Sequence, residues 1–266
     1  MSLLLQVSDT HFGTERAPVV QALLDLAAAQ RPDLVVLSGD ITQRARRAEF
    51  AAARRLVERM AAPATLAIPG NHDVPLFNIA ARLLDPYGAY ARAFGGDLEP
   101  SYEAHDLLVL CVNTTRARRH KHGEVSGRQI ERVAQRLRAC PPQKLRIVVT
   151  HHPMHVPAGS DEGNLLRGHA AAARAWAAAG ADLVMGGHIH LPFFRPMSER
   201  LPGLARPLWV VQAGTALSHR VRPGAEANSV NVVRTGQGAC TVERWDHEAA
   251  GNRFCLGERV RIALSR

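Results

Sequence analysis

Five short blocks of Asp, His and Asn, each standing directly after a run of apolar residues, constrain this chain more than any other feature of it. They are Asp9-Thr10-His11 after Leu5-Gln6-Val7, Gly39-Asp40 after Val35-Val36-Leu37, Gly70-Asn71-His72-Asp73 after Leu66-Ala67-Ile68, His151-His152-Pro153 after Val148-Val149, and Gly187-His188-Ile189-His190 after Leu183-Val184-Met185. Short apolar runs closed by turn residues read as buried strands. In open α/β sheets ligands collect outside the carboxyl ends of strands, so blocks far apart in sequence are expected to share one crevice. The blocks offer seven oxygen or imidazole ligands: Asp9, His11, Asp40, Asn71, His151, His188 and His190. That set is what a pair of divalent cations needs, because each ion takes several ligands and one carboxylate has to reach both.

The segments between the blocks alternate. Leu3 to Val7 reads as a strand, 16 to 30 as a helix, Leu34 to Leu37 as a strand, 45 to 60 as a helix and Thr65 to Ile68 as a strand, with helix stops at Arg31-Pro32 and Ala62-Pro63. This βαβαβ opening implies a parallel sheet flanked by helices. Leu107 to Val112 and Leu145 to Thr150 read as strands around a helix over 126 to 138, and Ala181 to Met185 as another strand. Leu208 to Gln212, Ser229 to Val233 and Ala239 to Trp245 follow without helices between them, which suggests an antiparallel second sheet. The whole of 1 to 266 is read as a single domain, with 74 to 105, rich in Pro and Gly, as a candidate cap over the site.

At 266 residues and 46% hydrophobic content the chain can bury a sizeable core. The start runs straight into an apolar strand with no basic stretch or cleavage site, no apolar run reaches membrane-spanning length, and Cys111, Cys140, Cys240 and Cys255 lack metal-binding spacing. A soluble, cytoplasmic protein with reduced thiols is expected, its metal held by imidazole and oxygen instead of sulfur. The net charge of +9 attracts acidic partners. Arg44, Arg46, Arg47, Arg54, Arg55 and Arg59 read as a solvated helix face, whereas the run Arg116 to His122 follows a strand end and is a candidate loop over a phosphate-bearing ligand.

Taken in order, D-x-H, GD, GNHD, HxP and GHxH resemble the calcineurin-like metallophosphoesterase superfamily, and look most like its class III cyclic-nucleotide phosphodiesterases through Gly39-Asp40-Ile41-Thr42 and Gly70-Asn71-His72-Asp73. The resemblance implies an α/β fold, an αββα sandwich of two central mixed sheets flanked by helices. It also implies two divalent metal ions, with Mn, Fe or Zn suiting the mixed ligands. Asp9, His11 and His190 would bind one, Asn71, His151 and His188 the other, and Asp40 would bridge. Such a pair holds a hydroxide at neutral pH and clamps the phosphate oxygens of an in-line displacement.

The family uses the histidine of GNHD on the substrate phosphate and the leaving oxygen, which assigns His72 to catalysis. An aspartate often stands three residues after the bridging one to orient it; here that position is Gln43. Either another acidic group substitutes, or His72 acts mainly as a neutral hydrogen-bond donor. His151 is preferred over His152 on the H-x-P spacing. Among the other histidines His155 and His219, each after a strand end, are the best candidates to line the pocket. Asp73 is expected to orient the turn after Asn71, and Asn113 to serve either the site rim or a turn.

The leading expectation is therefore a phosphodiester hydrolase, with 3′,5′-cyclic nucleotides as candidate substrates. A nuclease acting on DNA or RNA, favoured by the positive charge, and a non-catalytic binding module are the alternatives. The seven ligands stand against the last. Substrate selection is expected to reside in 74 to 105, 114 to 125 and 154 to 168.

Overall fold

A computed structural model describes residues 1–265. Its strands alternate sides with the period of two that a pleated strand imposes. In β1 (Leu3–Val7) the side chains of Leu3, Leu5 and Val7 pack outward under helices, while Leu4 faces the opposite layer. β2 (Leu34–Ser38) repeats this, with Val35 and Leu37 outward and Leu34 and Val36 inward. Strands buried on both faces need a layer on either side, and the chain supplies them as two sheets packed face to face with helices outside.

The outer helices of the first half are α1 (Ala17–Gln30) and α2 (Arg47–Met60), and β3 (Ala64–Ile68) follows. α3 (Ile79–Leu84) and α4 (Gly88–Phe94) lead to β4 (Ser101–Glu103) and β5 (Leu107–Cys111). Next come α5 (Gly127–Ala139), β6 (Leu145–Val149), α6 (His169–Ala179), β7 (Leu183–Gly186), β8 (Phe193–Pro196) and β9 (Trp209–Gln212). β10 (Ser229–Thr235), β11 (Ala239–Glu248) and β12 (Arg253–Ala263) close the chain. One six-stranded sheet has the order β12-β11-β10-β1-β2-β3 and the other β4-β5-β6-β7-β9-β8.

The expected antiparallel second sheet is corrected. β9 joins β7 in parallel, and β10 pairs antiparallel with β1 instead of starting a sheet of its own. The cause is two-sided burial. Val230 and Val232 pack into the α1–α2 layer and Val233 between the sheets, so β10 needs the same sandwich as β1. Three strands escaped the sequence reading: the three-residue β4 within the expected cap segment, β8, which ends in Pro196, and the edge strand β12, whose charged, largely exposed residues hide its pairing with β11. In the segment after β3, α4 packs on α2 through Tyr90 and Phe94 against Phe50, and the Tyr90 hydroxyl donates to the Ala67 carbonyl at 2.6 Å.

Between the sheets, a buried amide network lies beneath the strand ends that carry the blocks. Gln6 Nε2 donates to Ser38 Oγ at 3.0 Å and to the Gly186 carbonyl at 3.1 Å, and Asn231 Nδ2 donates to Gln6 Oε1 at 2.9 Å. These bonds fix the register of the two sheets just below the crevice.

Candidate metal centre

The five blocks leave their strands at one edge of the sandwich and are tied together through backbone hydrogen bonds. Asp9 N donates to the Gly39 carbonyl and His11 N to the Asp40 carbonyl, both at 3.0 Å, and Gly187 N donates to the His151 carbonyl at 2.9 Å. Side chains complete the joins. The Asp9 carboxylate accepts from Ser8 Oγ at 2.7 Å and from His188 N at 3.0 and 3.1 Å. Asp40 Oδ1 accepts from His72 N at 2.8 Å. Asp73 accepts from Gly70 N, Ile41 N, Thr42 N and Thr42 Oγ1 at 2.8 to 3.0 Å, so it clamps the loop after β2 to the loop after β3. Burial and the charge of Asp40 push the Asp73 carboxyl up to about 6 against these bonds.

Convergence strains the backbone. Asp9, His11, Asp40, His188 and His190 all have positive φ, between 42° and 74°, a region that side chains other than Gly seldom occupy. Strain of this kind persists where the surroundings over-determine it, and it clusters at functional sites. Two glycines make room for the crowding. A Cβ on Gly70 would lie 2.1 Å from Asp40 N and 2.2 Å from its Oδ1, and Gly39, at φ +93°, would put one 2.4 Å from His151 Nδ1.

The seven ligand candidates come together around Asp40. Its Oδ2 is 3.8 Å from His11 Nε2 and its Oδ1 is 3.3 Å from His151 Nε2. On the His11 side, Asp9 Oδ1 is 3.3 Å from His190 Nε2, and His11 Nε2 is 3.0 Å from His190 Nε2. On the other side the His151 and His188 rings lie 5.2 Å apart. Buried polar atoms without a hydrogen-bond partner concentrate here, among them His11 Nδ1, Asn71 Oδ1, His151 Nε2 and His188 Nδ1. An unmatched buried acceptor is costly, and a cation satisfies it.

Electrostatics agree with that donor set. Burial drives His11 down to about 3 and His188 well below its usual range, so both imidazoles are neutral at pH 7 and have lone pairs to offer. Burial works against ionisation of Asp40, but the imidazoles of His151 and His72 hold its carboxyl well below the usual range; Asp9 is lowered by His190 in the same way. Burial opposes the His151 cation too, yet Asp40 lifts it to about 9. The neutral imidazoles of His11 and His188, the ionised carboxylates and the amide oxygen fit divalent cations of intermediate softness, and His151 and His190, whose affinity for a proton Asp40 and Asp9 raise, would exchange that proton for the ion.

His152 lies near His151 and His188 but has both ring nitrogens occupied, Nδ1 by Thr114 Oγ1 at 2.7 Å and Nε2 by the Lys121 carbonyl at 3.0 Å. Its ring is thereby tied to the loop after β5. His72 faces an adjoining cavity of about 420 Å³, also lined by Asp40, Asn71, His188 and His190. His155 and His219 do not line this cavity: His155 is buried against Phe193, and His219 points to solvent. Asn113 serves a turn, accepting from Thr115 N at 2.9 Å and Thr115 Oγ1 at 2.6 Å. Of the 116 to 122 run, His120 and Lys121 reach the cavity, while Arg116 and Arg119 are held by Gln129 and Glu124.

Sequence reasoning missed Arg220, Arg222 and Asn164, and took Arg44 for plain surface; all four line the cavity. Arg220 Nη1 donates to Gln43 Oε1 at 2.8 Å, and its carbonyl accepts from His190 Nδ1 at 2.8 Å. Arg222 forms a two-point pair with Asp161 at 3.0 Å per contact. No sequence signal marks Arg220 and Arg222, which the fold alone brings from the stretch after β9 to the edge of the blocks.

The calcineurin-like phosphoesterase family model matches residues 3–192, which hold all five blocks. The chain belongs to the calcineurin-like phosphoesterase family. Among curated members, it is 28% identical over 157 residues to a probable cyclic nucleotide phosphodiesterase of Synechococcus sp., covering 56% of each chain. It is 39% identical over 84 residues to the glycerophosphodiester phosphodiesterase GpdQ of Enterobacter lignolyticus, covering 27% of this chain and 29% of that one. The chain thus spans about half or less of the curated relatives it matches. In fold it is similar to a purple acid phosphatase from yellow lupin seeds, with a TM-score of 0.75 and 11% identity over 98% of this chain and 53% of the other.

Proposed function

We propose that the protein hydrolyses phosphodiesters at a pair of divalent cations. The observation that carries this reading is Asp40, whose two carboxylate oxygens face opposite groups of ligands, His11 beside Asp9 and His190 on one side and His151 beside His188 on the other. Asp9, His11 and His190 would hold one cation, Asn71, His151 and His188 the second, and Asp40 both. Such a pair, when bound, acidifies a water and neutralises phosphate charge.

The chain's own residues do the rest. His72 Nδ1 lies 3.0 Å from the Gln43 carbonyl, which only accepts, so the proton sits on Nδ1 and Nε2 is directed to the cavity. A protonated Nε2 there hands its proton to the departing alkoxide; a neutral ring has none to give at that atom. Arg44, Lys121, Arg220 and Arg222 surround the same cavity with positive charge, which suits an anionic substrate. The naming of the Synechococcus relative makes 3′,5′-cyclic nucleotides the first substrates to assay.

The test is a panel of phosphodiesters and monoesters, run on chelator-stripped protein with Mn, Fe, Zn or Mg restored one at a time. Hydrolysis of bis(p-nitrophenyl) phosphate that returns with metal and exceeds monoester hydrolysis is the expected result. Inactivity with every metal removes the enzymatic reading. A preference for single-stranded DNA with steep salt dependence would redirect it to a nuclease.

A further inference from the structure

Six large apolar residues are strongly exposed among the described residues, and four of them, Phe77, Ile79, Leu83 and Leu84, crowd into one short stretch beside the catalytic cavity. Ile79 and Leu83, one turn apart on α3, lie on one face, with Ala80 and Leu84 beside them. No residue of α3 is buried. The helix is nevertheless held from its polar side: Arg82 donates to the Pro75 carbonyl and to the Arg119 carbonyl, each at 2.8 Å. Its apolar side is therefore presented outward, and scattered single exposures would not have this form.

Positive charge borders the apolar face. Arg44, Arg46, Arg47 and Arg92, all exposed, share a depression of about 650 Å³ with Phe77 and Asn78. Arg44, Arg47 and Arg92 have no carboxylate within salt-bridge distance among the described residues, and Arg46 reaches Glu49 only at 3.9 Å. The one acidic residue lining that depression is Asp85. The Arg44 guanidinium stands 5.1 Å from the centre of the Phe77 ring, which joins the two kinds of surface. Arg44 and Leu76 line this depression and the catalytic cavity alike, so the face adjoins the cavity mouth.

We infer that residues 76–84, with Arg44, Arg46, Arg47 and Arg92, form a docking face for an anionic lipid surface. Exposed apolar side chains rimmed by arginine match an interface in which anionic headgroups overlie acyl chains: the apolar residues enter the boundary and the guanidinium groups meet phosphate. Among the described residues no helix is long and apolar enough to cross a membrane, and the contact inferred here is a peripheral one. It brings the mouth of the proposed phosphodiesterase centre to the lipid surface. The docking is independent of turnover.

The test is co-sedimentation of the full chain with vesicles of phosphatidylglycerol or of phosphatidylcholine, repeated with Phe77→Asp/Leu84→Asp and with Arg47→Glu/Arg92→Glu. Both doubles replace exposed residues outside the proposed ligands. The wild-type chain is expected to sediment with phosphatidylglycerol in a salt-sensitive way and little with phosphatidylcholine, and each double is expected to lower the bound fraction by about tenfold. Hydrolysis of bis(p-nitrophenyl) phosphate is expected to stay unchanged in both, which separates docking from catalysis; its absence in the wild type would count against the centre and leave the docking result standing. Equal binding to both vesicle types, or binding that survives both doubles, overturns the inference. So does a dimer in analytical ultracentrifugation that Phe77→Asp/Leu84→Asp dissolves, because the apolar face would then belong to a second copy of the chain.

Discussion

His72 is oriented by the backbone of Gln43, not by its side chain: the ring Nδ1 lies 3.0 Å from the Gln43 carbonyl, while Gln43 Oε1 accepts from Arg220 at 2.8 Å. This bears on both alternatives read from the sequence. No acidic side chain substitutes at Nδ1, and the fixed tautomer leaves a neutral ring without a proton at Nε2.

The roles of ring and amide are therefore separable. His72→Ala is expected to retain its metals and to lose turnover by about two to four powers of ten, the worth of a positioned acid. Gln43→Ala keeps the carbonyl that orients the ring and should cost far less in turnover, raising KM through the released Arg220. Steady-state kinetics with elemental analysis of both variants check this. Equal loss in the two would return the orienting role to the side chain.

Gly70 is predicted to be intolerant of any side chain. Alanine there drives a methyl into Asp40, 2.1 Å from its N and 2.2 Å from Oδ1, and the loop after β3 has to shift. Overpacking of this kind costs roughly 1–3 kcal/mol. Urea unfolding and metal titration of Gly70→Ala should show the stability loss together with weakened metal binding. Wild-type binding would mean that Asp40 tolerates displacement.

Much of this site was legible because its ligands sit where strands end, and strand ends announce themselves as apolar runs closed by Gly, Asp or His. The bridging role proposed for Asp40 came instead from the family resemblance, since strand ends alone do not say which carboxylate reaches both ions. Arg220 and Arg222 were not legible: they follow a long irregular stretch after β9, and only the fold brings them to His190. The misgrouped strands have a similar origin. Alternation in 229–233 shows two buried faces but does not say which sheet supplies the neighbours, since β1 is distant in sequence from β10.

Acid stability is predicted to depend on Asp106. Although partial burial pushes its carboxyl up, hydrogen bonds from Ser2 and from Thr235 Oγ1 hold it down to about 2. With the folded value below the unfolded one, its contribution is full above the ordinary carboxylate range and fades as pH falls toward about 2. Asp106→Asn should cost about 1–2 kcal/mol at neutral pH, allowing for screening at the rim, and almost nothing at the acid end. Urea denaturation across that range measures it. A cost that does not vary with pH would assign the effect to packing.

Metal addition is expected to stabilise the fold, because the unmatched atoms of Asn71, His151 and His188 acquire a partner only then. At a hundredfold excess over Kd the gain is about 2.7 kcal/mol. Differential scanning calorimetry with and without Mn²⁺ reads it, and Asp40→Asn should abolish most of the shift. A shift that survives in Asp40→Asn would locate the ions elsewhere.

The most direct test of the whole account is an anomalous-scattering map from crystals soaked in Mn²⁺. The account predicts two peaks roughly 3.5–4 Å apart with the Asp40 carboxylate between them, one against Asp9, His11 and His190 and the other against Asn71, His151 and His188. A single peak, or peaks that leave Asp40 without a contact, would contradict it.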